Sequence, residues 1–130
     1  IRYTMINNRL LNYLNRRWYN ISKFTNKRDL IGYLLDYMKK YNISNSHKEE
    51  LYNIVLKLPK KTDLQKERFI RYYGLKPQEF KRETLTSIAR NQLCTTNAIR
   101  SSIISIRGAM FRISDEDFSI LEKIYSEYNN

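Results

Sequence analysis

Four side chains in the stretch TLTSIARNQLCTTNAIRSSIISIRGAM, residues 84–110, have the chemistry to read the edge of a nucleic-acid base. Asn97 carries an amide that can both donate to and accept from adenine, and Arg100 carries the planar fork that pairs two ways with guanine. Thr96 and Ser101 place short hydroxyls beside them, and short side chains let a helix lie deep in a groove. Each bidentate pairing is worth about 1–3 kcal/mol of discrimination. Lys81, Arg82, Arg90 and Arg107 flank the four with no obvious carboxylate partner, which fits phosphate contacts that position without reading sequence. Thr84 and the loop amides before Leu85 can meet a further phosphate at a helix start. The competing account of every one of these residues is a solvated basic surface.

Presenting such groups requires a helix seated on an apolar bed. An inner set (Leu85, Ile88, Ala89, Leu93) precedes a tight turn, and a second set (Ile99, Ile103, Ile106) follows it at helical spacing. Ala89 sits where two helices would cross closely, and Thr95 is placed to cap the second. The layout predicts a helix-turn-helix whose second helix enters the major groove of double-stranded DNA.

The remaining elements read as helices too. Ile6, Leu10, Leu14, Trp18 and Ile21 predict a helix over residues 4–24, and a second is expected from Lys27 to Tyr41. Ser46, with Glu49 three positions on, predicts the start of a third. Thr62 and Gln65 form the same signature, and Gly74 is expected to end that helix in a left-handed cap. Ser114 precedes Asp115, Glu116 and Asp117, carboxylates that offset the dipole of a last amphipathic helix.

Other chemistries find little support. Cys94 is alone, so it forms no internal disulfide and, with only His47 for company, no zinc cluster; a small packing side chain explains it. His47 is expected to be an exposed helix-start residue. Tyr33, Tyr72 and Tyr73 can stack on single strands but are better read as core edges. Carboxylate pairs lie in helix first turns, and the three glycines build no phosphate-cradling loop. The reading is not an enzyme, with no cofactor and no metal.

The chain has 130 residues, 42% hydrophobic, with only three Gly and two Pro, which suits a folded all-α multi-helix bundle. Its formal net charge of +11 favours a polyanionic partner. The charge divides as +7 over residues 1–57, +8 over 58–113 and −4 over 114–130, so the basic excess overlaps the two-helix motif. These ranges are the expected organisation: an N-terminal helical segment of unassigned role, a DNA-binding domain, and an acidic amphipathic helix. No apolar run approaches the ~20 residues that cross a bilayer, and the unpaired cysteine fits a reducing, cytoplasmic compartment.

From Leu58 to about Met110 the chain resembles region four of the bacterial RNA polymerase sigma-factor family. The resemblance rests on Leu58-Pro59, on Arg71-Tyr72-Tyr73-Gly74-Leu75, on Thr84-Leu85-x-x-Ile88-Ala89, and on Thr95 with Ile99-Arg100. It implies a four-helix domain whose last helix, Thr95–Arg107, reads an upstream promoter element while another face binds a mobile flap of RNA polymerase. At the family's recognition positions stand Thr96, Asn97, Ala98, Arg100 and Ser101, and only Arg100 keeps the family type; the scaffold is retained and the reading head altered. Residues 1–57 do not resemble the region that melts DNA and grips the polymerase. The expectation is therefore a region-four-like transcription regulator, or the tail of a larger factor. The alternative is a protein-interaction module that docks on polymerase or another protein without specific DNA binding. A homodimer is compatible with either.

Overall fold

The computed structural model describes residues 27–128, and every regular element among them is a helix. In chain order these are α1 (Lys27–Lys40), α2 (Asn45–Leu56), α3 (Asp63–Tyr73), α4 (Leu85–Gln92), α5 (Thr96–Met110) and α6 (Asp115–Glu127). The helix expected over residues 4–24 lies outside the described residues.

Local chemistry explains most of the boundaries. The Thr62 hydroxyl accepts from Gln65 N while the Gln65 side chain accepts from Thr62 N, so α3 begins with a complete capping box. Thr84, Thr95 and Ser114 each accept a backbone N–H three residues on, opening α4, α5 and α6. At the far end of α3, Gly74 adopts φ +67°, and a Cβ there would sit 2.8 Å from Arg82 Cγ and 3.0 Å from Arg82 N. Only glycine satisfies both the backbone and the space.

One cap differs from expectation. Ser44, not Ser46, opens α2, accepting from His47 N at 3.3 Å. That register turns His47 inward: it is 9% exposed, with Nδ1 3.0 Å from the Tyr128 hydroxyl and Nε2 3.1 Å from Glu127 Oε2. Since Tyr128 also accepts from Ser44 N at 2.8 Å, the imidazole fastens the start of α2 to the end of α6. It is not the exposed residue the sequence suggests.

A single buried cluster runs from Leu30 to Tyr125 and draws on all six described helices, with Phe69, Leu75, Ile88, Ile99 and Ile106 at 0% exposure. Leu58, where the sequence suggests a division, is itself in that cluster. Helix α5 is packed chiefly against α3 and α4, whereas α6 packs on α1 and α2. The acidic first turn of α6 is tied down there: Asp115 pairs with Lys27 at 3.1 Å and Asp117 with Lys57 at 2.9 Å.

Candidate nucleic-acid interface

Helices α4 and α5 are joined through Leu93-Cys94-Thr95. Ile88 and Ile99 are fully buried beneath them and Ala89 is 4% exposed, so the two helices share an apolar floor. Leu93 departs from its expected place in that floor. It caps α4 in a left-handed conformation, φ +56°, which turns its side chain outward and leaves it 93% exposed. Cys94 is partly buried, packed against the core, and its N–H donates to Ala89 O at 3.0 Å.

On α5 the side chains divide cleanly by angle. At 100° per residue, Asn97, Arg100, Ser101, Ile104 and Gly108 fall on one side of the helix and Ile99, Ile103, Ile106 and Met110 on the other. Asn97, Arg100 and Ser101 are exposed, and Thr96 is half-buried at the edge of the same face. Arg100 Nη1 donates to Asn97 Oδ1 at 2.7 Å, so amide and guanidinium stand as one outward unit.

An arginine that sequence reasoning passed over holds this helix in place. Arg68, on α3, donates through Nε to Gln92 Oε1 (2.7 Å) and through Nη1 to Ser102 Oγ (3.0 Å) and Ala98 O (3.4 Å), with Nη2 3.7 Å from Cys94 Sγ. One guanidinium thereby spans the end of α4, the connection and the first turns of α5. Arg71 does the same for the approach to α4. It grips Glu83 with Nε at 2.8 Å and Nη2 at 2.7 Å and reaches Asn91 Oδ1 at 3.2 Å, while Glu83 N donates back to Arg71 O. The fork geometry of the Arg71 bond holds the Glu83 carboxyl below the usual carboxylate range and raises Arg71.

The basic residues expected at phosphates fall into two groups. Lys81 and Arg90 are exposed. Arg82, also exposed, and the half-buried Arg107 in addition make contacts within the fold. Arg82 Nη1 donates to Met38 O (3.1 Å) and Lys39 O (2.9 Å), capping α1, where a cation suits the negative end of the helix. Arg107 lies against α1: a Cβ at Gly32 would stand 3.1 Å from its Nη2. The Thr84 hydroxyl accepts from Ser87 N at 3.0 Å and keeps its own O–H to donate. Lys61 Nζ also donates to Ser105 Oγ at 2.8 Å, setting a lysine along the flank of α5 that the spacing did not suggest.

Between Thr84 and Ser114 the chain carries Arg90, Arg100, Arg107 and Arg112 and no carboxylate. Among the described residues no cluster of His, Cys, Asp or Glu could hold a metal ion, and no helix is long and apolar enough to cross a membrane. No protein-family model matches the chain, and neither the curated proteins nor the solved structures searched give a match.

Proposed function

We propose that this chain is a sequence-specific, double-stranded-DNA-binding transcription regulator that uses α4, its connection and α5 as a helix-turn-helix resembling sigma-factor region four, and that it acts with RNA polymerase. The observation that carries this reading is the outer face of α5. Asn97, Arg100 and Ser101 project from a helix whose opposite side is buried and, apart from Ser102, apolar, in a segment without a single carboxylate. Arg100 would pair with guanine and Asn97 with adenine, while Lys81, Arg90 and Lys61 would neutralise phosphates. The Asn97–Arg100 bond of the free protein is given up for base contacts, so the pair is ordered before it binds.

The test is affinity for duplexes selected from a random-sequence pool, at fixed salt, for the full chain and for N97A/R100A. The double variant is expected to keep its fold and lose most of its preference for the selected sequence over scrambled duplex, about 1–3 kcal/mol for each lost pairing. Unaltered preference would overturn the reading.

One observation favours a second reading, docking on RNA polymerase or another protein without specific DNA contact: Leu93 projects from the connection almost fully exposed. Capture of the polymerase flap that survives R100A, together with no duplex binding, would establish it instead.

A further inference from the structure

The middle of the outward face of α5 is occupied by an apolar side chain. Ile104 is 61% exposed. It sits about 20° from Asn97 around the helix and about 10 Å further along it, on the order of three base-pair steps. Beyond it on the same stripe comes Gly108, where a Cβ would meet nothing within 4 Å, so the helix surface is open on that side. Ser101 and Ser105 border Ile104, and Lys61 reaches Ser105 from α3's approach.

A lone exposed isoleucine ordinarily calls for no explanation. Its neighbours give this one a specific fit. The segment that carries it, residues 84–114, is cationic and holds no carboxylate, so its charge favours a polyanion over an apolar protein groove. Within α5 no second large apolar residue stands on this stripe, and in DNA a lone apolar side chain needs only a small apolar partner. In the major groove the one apolar group at a base edge is the 5-methyl of thymine.

We infer that Ile104 is a specificity-determining residue that packs against a thymine methyl, two turns along α5 from Asn97 and one turn from Arg100. The inference rests on α5 lying in the major groove. The full chain then reads both hydrogen-bonding edges, through Asn97 and Arg100, and one methyl, through Ile104.

The experiment replaces each thymine of a selected duplex in turn by deoxyuridine, which removes the methyl and nothing else, and measures affinity at fixed salt for the wild type, I104A and I104V. At one position the wild type is expected to bind the thymine duplex about fourfold more tightly than the uracil duplex, the worth of one buried methyl-sized group. I104A should bind both duplexes equally, at the weaker level, and I104V should retain part of the difference. Because Ile104 is exposed, both variants should unfold at the wild-type temperature. Sequence-selective binding with no thymine preference at any position, or a preference that I104A keeps in full, overturns this inference and leaves the DNA-binding reading standing. Absence of sequence-selective duplex binding overturns both.

Discussion

Arg68 illustrates how one side chain can set the geometry of a binding face it does not belong to. Its guanidinium bonds Gln92, Ala98 O and Ser102 at once, and these partners come from both helices of the α4–α5 pair. Substituting Met keeps the apolar stem and removes the fork, leaving half-buried acceptors on both helices. Stability to urea is expected to fall by about 1–3 kcal/mol. Lysine should recover little, because a point charge cannot span acceptors that diverge in this way. Leu93 makes a different point. A left-handed backbone at a leucine costs about 1–2 kcal/mol, and here no burial of the side chain offsets it.

Among the elements, α5 combines a floor that is apolar except for Ser102 with an outer stripe that ends in Gly108. Since a methyl at Gly108 would enter open space, G108A should stabilise the protein by about 0.5–1 kcal/mol through helix propensity alone, read as a raised urea midpoint with unchanged slope. The helices themselves were largely legible in the sequence. Thr62, Gln65, Gly74, Thr84, Thr95 and Ser114 mark boundaries through bonds to atoms at most a few residues away, and such chemistry is written locally. Ser46 reads as the cap because Glu49 stands in capping-box register; the actual cap, Ser44, lies two residues earlier, its own N–H held by the Tyr128 hydroxyl, 84 positions on. Arg68 draws no attention in the sequence, and the contacts of Arg82 are not visible there, for a related reason. The partners of Arg68 lie 24–34 positions away, and the α1 carbonyls that Arg82 meets lie 43–44 away, beyond any periodicity. Leu93 was placed inside because its spacing continues the apolar stripe of α4; the reversal of φ at that residue throws it outward. The outward set Asn97, Arg100 and Ser101 was readable because a single helix period fixes it. The isoleucine among them was not, since Ile104 and the buried Ile103 look alike in sequence.

Across the whole molecule, charge and titration follow from how α6 is placed. Asp115 and Asp117 of its first turn pair with Lys27 and Lys57, and Glu127 meets His47, on the α1–α2 side, away from α5. Buried tyrosines set the alkaline limit. Burial pushes Tyr73 and Tyr125 up to about 12 from an ordinary value of 10.0. Their hydroxyls keep their protons in the fold at pH values where the unfolded chain loses them. The contribution of these groups is thus complete below pH 10 and is lost as pH rises towards 12. At the acid end the sign reverses: Glu83, depressed by Arg71, contributes above the ordinary carboxylate value of 4.5 and loses that contribution as pH falls through its own lower value. Urea midpoints measured against pH should therefore decline at both ends, with E83Q flattening the acid limb and leaving the alkaline one intact.

The most direct measurement is a nuclear magnetic resonance titration of the full chain, labelled with nitrogen-15, against a duplex selected from a random pool. Amide shifts are expected to concentrate at residues 96–104 of α5 and at Lys61 and Arg90, with α6 and the His47–Tyr128 contact unperturbed. Shifts centred on α1 and α6, or none on α5 at saturating duplex, would contradict the assignment of this helix as the reading surface.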